Sequence, residues 1–204
     1  MNHILLALTK LHIRLRDGRY VRTQTIKATN GVEQEVAIFS GDKPISLGQC
    51  TPFGAVIIHE SVLNNDRLSN YVLIHEIAHK KQWWSIFGIP LFLLVILGFL
   101  ILIRAFMFLV QSLISMNPSY LLGFVQYLIV SLLALVIPCA FSWILELNAD
   151  FAAIKHIGLQ AFLEIRDDLH KTRRLTLSLR ILNRLTHPPV WIIVPVWHWR
   201  HKEE

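Results

Sequence analysis

The chain has 204 residues, of which 53% are hydrophobic and only 17% charged, a balance too apolar for an ordinary soluble globule of about one domain. The net charge of +6 and isoelectric point near 9.6 raise the question of nucleic acid, but the basic residues form no run interleaved with stacking aromatics, so no nucleic-acid partner is expected. Two cysteines, Cys50 in a polar stretch and Cys139 in an apolar one, make neither a C-x-x-C site nor a disulfide framework.

The N-terminal part begins with a short apolar run, Ile4 to Leu8. It lacks the basic lead-in and small-residue cleavage site of a secretory signal and reads as retained. Val36-Ala37-Ile38-Phe39 and Gly54-Ala55-Val56-Ile57-Ile58 are apolar runs bounded by Gly, Pro, Asp and Asn, which predicts short strands. After Asn64-Asn65-Asp66, a cap at Ser69 or Asn70 opens a helix whose apolar residues are Val72, Leu73, Ile74, Ile77 and Ala78.

That helix carries His75-Glu76-Ile77-Ala78-His79. Histidines four apart project from one face, one turn apart, which suits two ligands of a single Zn2+ ion. Glu76 is then placed to act as general base on a metal-activated water and to pass the proton to a leaving amine. His3, His12, His59, His156, His170, His198 and His201 lack ligand spacing; His59-Glu60 mimics a motif start, but Leu63 occupies the second position.

Between Gln82 and Leu145 the only charged residue is Arg104. The uncharged run beyond it far exceeds the ~20 residues that one helix needs to cross a bilayer, so the block must fold back on itself. Ser115-Met116-Asn117-Pro118-Ser119 is the expected reversal. The reading is a transmembrane hairpin over 85–145, with spans at about 85–111 and 120–144 and Arg104 snorkelling outward. Lys80 and Lys81 precede it, Lys155, Arg166, Lys171, Arg173 and Arg174 follow it, and Ser112 to Ser119 has no basic residue. The positive-inside bias therefore puts both polar parts, 1–84 and 146–204, in the cytoplasm, in a multi-pass protein of the cell membrane. Trp83 and Trp84 fall where the first span would enter the interface, though ordinary packing explains them as well.

A catalytic zinc needs a third protein ligand and an open position. Glu146 offers one where the second span ends, returned by the hairpin to the side of His75. Asp150, one turn further, could accept a hydrogen bond from a liganding imidazole. The alternative is that both acids merely cap a membrane helix.

His75-Glu76-Ile77-Ala78-His79, the later Glu146-x-x-x-Asp150 and Thr186-His187-Pro188-Pro189 together resemble the HtpX and CAAX prenyl protease type of membrane zinc metallopeptidase, a gluzincin pattern, over about 44–189. The resemblance implies zinc-dependent endoproteolysis with His75, His79 and Glu146 as ligands and Glu76 as base. It also implies a role for His187 beside substrate or oxyanion, polypeptide substrates that include membrane proteins, and a part in membrane-protein quality control. An extended substrate would lie against an edge strand next to the metal helix, for which Gly54 to Ile58 is the candidate, so that Val56→Pro should abolish cleavage. The chain departs from that pattern in having no pair of spans before the metal helix, no acid in Lys80-Lys81-Gln82, and apolar Val190 to Val196 after the Pro pair. Val190 to Trp199 either lies in the interface or packs in a core. Two other readings stand beside the protease: an antirepressor-sensor metallopeptidase, whose Cys-Asp pair is lacking here, and a zinc-stabilised scaffold that no longer cleaves. The expected fold is α+β and mostly helical, with the hairpin inserted between the H-E-x-x-H helix and the third-ligand helix; oligomeric state is left open.

Overall fold

A computed structural model describes residues 1–41, 46–82, 84–172 and 185–202. Pro44, Trp83, Arg173 and Arg174 lie outside them, as do the side chains of Trp84, His170 and Lys171. The chain is mostly helical with one small sheet. It divides into two units, Met1–Ser85 with Leu145–Glu204, and Ile86–Ile144.

In the first unit, α1 (His3–Arg14) starts where Asn2 Oδ1 accepts the Ile4 amide at 3.0 Å, an N-cap that satisfies one free helix donor. Strands β1 (Arg19–Lys27) and β2 (Glu33–Ser40) form an antiparallel hairpin, turned at Gly31, whose φ of +80° suits a residue without Cβ. Strand β2 also runs parallel to β4 (Val56–His59), and β4 pairs antiparallel with β3 (Gly48–Cys50), giving the order β1-β2-β4-β3. The two apolar runs expected to be strands are thus the central pair, covered on both faces and so without polar alternation. Val36, Ile38, Val56 and Ile58 face one core, while Ala37, Phe39 and Ile57 pack with Ile13 of α1 on the other.

Gly54 to Ile58 is not an edge. Strand β4 is bonded on both sides and buried throughout, and the edge strand next to the His75–His79 helix is β3. A proline at Val56 would break the sheet's interior ladder and would report on folding, not on substrate.

Helix α2 (Asp66–Lys81) begins earlier than Ser69. Asn65 is its N-cap, with Oδ1 accepting from the Leu68 amide at 3.1 Å. Tyr71, Val72, Leu73, Ile74 and Ile77 of α2 join the sheet's first core. That core is completed by α5 (Leu159–Thr172) through Phe162 and Ile165, and by α6 (Val190–Arg200) through Ile193. Helix α6 packs in the core in part: Ile193 is buried and Trp197 packs on Phe151, whereas Trp191 and Trp199 are exposed.

The second unit holds most of α3 (Trp84–Ser115) and the first part of α4 (Pro118–Ile157). The chain reverses at Met116-Asn117, Met116 taking a φ of 53° and Asn117 Oδ1 capping the Ser119 amide at 2.9 Å. The helices pack antiparallel through small residues. Ser131 Oγ donates to Gly98 O at 2.9 Å, and Phe108 stacks on Tyr127 with centroids 5.1 Å apart. A Cβ at Gly98 would meet Leu135 at 3.1 Å, and one at Gly123 would meet Phe108 at 2.8 Å. Arg104 is exposed, its guanidinium 5.5 Å from the Phe108 ring centre. Leu91–Ser115 and Pro118–Ile157 are each long and apolar enough to cross a membrane. Helix α4 does not stop near Ile144. It runs through Pro138 to Ile157, so the apolar segment and the Glu146 segment are one helix. Gly158, at φ +86°, terminates it.

Candidate metal centre

Residues 66–81 are one helix, so the i, i+4 spacing brings His75 and His79 together with their Nε2 atoms 3.1 Å apart. Helix α4 delivers Glu146 to the same point. Its Oε2 lies 3.3 Å from His75 Nε2 and its Oε1 3.4 Å from His79 Nε2. A tetrahedral ion with nitrogen and oxygen donors at 2.0–2.2 Å requires donors about 3.3 Å from one another, which is the spacing found. Glu146 Oε2 is also buried with no hydrogen-bond donor. Two imidazole lone pairs and a carboxylate at such distances repel unless a proton or a cation lies among them. The three residues therefore fit a divalent metal, and they are the group of donors that could hold one among the described residues.

Contacts behind the ligands fix which nitrogen faces inward. Gln82 Oε1 stands 3.1 Å from His79 Nδ1, so Nδ1 carries the proton and Nε2 keeps its lone pair for the centre. The Gln82 amide donates in turn to Leu145 O at 3.1 Å, joining the end of α2 to the stretch of α4 that bears Glu146. On the other side Asp150 Oδ1 lies 3.0 Å from His75 Nδ1 in a contact too bent for a linear hydrogen bond. The Tyr71 hydroxyl donates to the same oxygen at 3.1 Å. Asp150 is 1% exposed, and Arg166 supplies positive charge to it and to Tyr71. Arg166 Nη2 also reaches Pro188 O at 3.4 Å. Burial opposes protonation of His75, but Tyr71, Asp150 and Glu146 outweigh it and hold its pKa well above the usual value. A metal held here would displace that proton.

Glu76 is 8% exposed and lies on the β3 side of α2. Its carboxylate takes a backbone hydrogen bond from Cys50. Burial raises its pKa, while His75 and His79 pull the other way. Burial and the nearby Glu76 also push the Cys50 thiol up to about 12, leaving it inert. The approach of β3 to α2 depends on Gly48, where a Cβ would fall 2.4 Å from Val72 Cγ1 and 3.1 Å from Glu76 Cγ. Leu47 O accepts from His59 N and Thr51 N donates to Ala55 O, so the alternation of an antiparallel ladder turns the backbone of Gly48 and Cys50 away from β4, and Cys50 bonds to Glu76.

His187 joins the site from the Thr-His-Pro-Pro segment. Its Nε2 is 3.3 Å from Glu146 Oε2, its Nδ1 is 2.8 Å from Thr186 Oγ1, and its side chain is 35% exposed. Burial lowers its pKa, with Glu146 opposing. His59 is occupied elsewhere, with Ser61 Oγ at 2.7 Å and Gly41 O at 3.0 Å. All six residues singled out in the sequence, His75, Glu76, His79, Glu146, Asp150 and His187, meet in one place. Tyr71, Gln82, Arg166 and Gly48 were not singled out as site residues. Gln82 lies one turn past His79 and Tyr71 one turn before His75, which was the available signal for both. Comparison with protein-family models, with curated proteins and with solved structures gives no match.

Proposed function

We propose that this protein is a zinc-dependent membrane endopeptidase, and that the convergence of His75, His79 and Glu146 beside the buried carboxylate of Glu76 is the observation that carries the reading. A structural metal site has no use for a buried base next to its ligands, whereas peptide hydrolysis requires one. His75, His79 and Glu146 would hold the zinc, which would supply a Lewis acid to polarise the scissile carbonyl and acidify water. Glu76 takes the proton of the attacking water and returns it to the leaving amine. Its raised pKa brings it closer to the neutral pH at which it must do both. His187, part exposed at the rim, donates from Nε2 to the oxygen that gains charge. The substrate strand pairs with the free edge of β3, next to Glu76.

Two apolar helices between α2 and Glu146 make an even number of crossings. With Lys80, Lys81 and Lys155 flanking them and no basic residue from Ser112 to Ser119, the site belongs in the cytoplasm, where membrane proteins awaiting quality control are its substrates. Arg166 adds nothing to that charge count, since it is engaged with the site.

The test is cleavage of casein, or self-cleavage, by the detergent-purified protein with metal analysis of the same sample. Glu76→Gln should retain its zinc and lose cleavage by at least the 10²–10⁴-fold expected of a general base. A variant that keeps both zinc and full cleavage would remove Glu76 from the mechanism. Zinc-loaded wild type that cleaves nothing would favour the scaffold reading.

A further inference from the structure

Helix α1 covers the second face of the sheet, and only one of its faces is used for that. Thr9 and Ile13 are buried inward. Outward, Ile4, Leu8, Leu11 and Leu15 are 71%, 43%, 54% and 76% exposed. Spacings of four, three and four put these residues in a single stripe along the helix. Scattered exposed leucines are ordinary, but a continuous aliphatic stripe on a short helix marks a contact surface.

Charge says what the surface meets. No acidic residue occurs from Met1 to Arg16, and Lys10, Arg14 and Arg16 are exposed around the stripe. Lys10 reaches over the Tyr20 ring at 4.6 Å. Aliphatic side chains bordered by Lys and Arg are the pattern of a helix lying in the plane of a bilayer, its apolar face in the acyl boundary and its cations among anionic headgroups. The chain that bears α1 also carries two helices long and apolar enough to cross a membrane, so a bilayer is at hand. A second copy fits less well, because four side chains cover only part of the ~800 Å² per partner of a stable interface.

We infer that the outer face of α1 is a lipid-contact surface that docks on a leaflet rich in anionic headgroups. It acts as an anchor in the membrane plane, independent of the metal centre.

The experiment uses the full chain in lipid nanodiscs, with a spin label at Leu8→Cys, Leu11→Cys or, as a water-exposed reference on β1, Arg22→Cys, each in a Cys50→Ala, Cys139→Ala background. The readout is label accessibility to oxygen against a water-soluble paramagnetic chelate. In discs containing phosphatidylglycerol the oxygen-to-chelate ratio at positions 8 and 11 should exceed that at 22 several-fold. Arg14→Glu with Arg16→Glu, both on exposed positions, should lower it several-fold at unchanged zinc content. Ratios at 8 and 11 equal to that at 22 would overturn the proposal. So would equal immersion in pure phosphatidylcholine, or dipolar broadening between labels on two copies. None of these readouts depends on proteolysis, so this inference and the protease reading fail separately.

Discussion

Each imidazole of the candidate metal centre has a polar neighbour at its outer nitrogen. Gln82 Oε1 fixes His79 through Nδ1, while Asp150 Oδ1 stands 3.0 Å from His75 Nδ1 as a charge behind the ring without a linear hydrogen bond, and outer contacts of this kind typically govern metal affinity by 10–100-fold. Gln82→Leu and Asp150→Asn should therefore each weaken zinc binding by about 10–100-fold in competition with a chromophoric chelator; unchanged affinity would show that the imidazoles are oriented without them. Glu76 gives a pH signature. Burial raises its pKa, so its basic form is lost at a higher pH than the ~4.3 of a free glutamate, and the acid limb of the activity profile should lie above that value. The stability effect has a definite sign. A carboxyl whose pKa is higher folded than unfolded favours the folded state at low pH, and that contribution is lost as pH rises through the folded value. Metal-free Glu76→Gln should accordingly be no less stable than wild type at neutral pH by thermal unfolding. His75 and His79 were legible from spacing alone. Gln82 was not, because its role depends on Leu145 O, which tertiary structure brings to it.

Strands and helices were legible in proportion to the local pattern they carry. The central strands β2 and β4 stood out as apolar runs, and the long helices as uncharged ones. Strand β3 did not, because three residues show no period, nor did β1, whose outward side chains are mostly polar. The amphipathic α1 was read only as a short apolar run. The edge was misassigned for the same reason: an apolar run marks a buried strand, and a strand buried on both faces is usually paired on both sides. Strand β3 can be tested through Gly48. Gly48→Ala puts a methyl into Val72 and against Glu76, and overpacking of this kind costs about 1–3 kcal/mol. The expected result is a lower unfolding midpoint together with reduced cleavage at retained zinc. A variant as stable and active as wild type would mean that β3 yields easily and does not position Glu76.

Across the whole molecule, a single length of chain separates two parts of one site. The sequence leaves the first unit after Ser85 and re-enters it at Leu145, and His75, His79 and Glu146, the donors that could hold a metal, lie on either side of that excursion. The reversal expected between Ser115 and Ser119 is where α3 gives way to α4. The join at the other end was drawn too sharply, because a loss of apolar composition does not require a helix to end, and α4 continues past Glu146 to Ile157. The polar face of that continuation carries Glu146 and Asp150 together, which only an unbroken helix guarantees. The most direct test of the metal centre is zinc content together with X-ray absorption at the zinc edge on the purified wild-type protein and on Glu146→Ala. The expected result is one zinc per wild-type chain, bound to two imidazoles and oxygen at about 2.0–2.2 Å, with most of it lost from Glu146→Ala. A wild-type protein that takes up no zinc, or binds it through sulfur, would contradict the assignment of His75, His79 and Glu146.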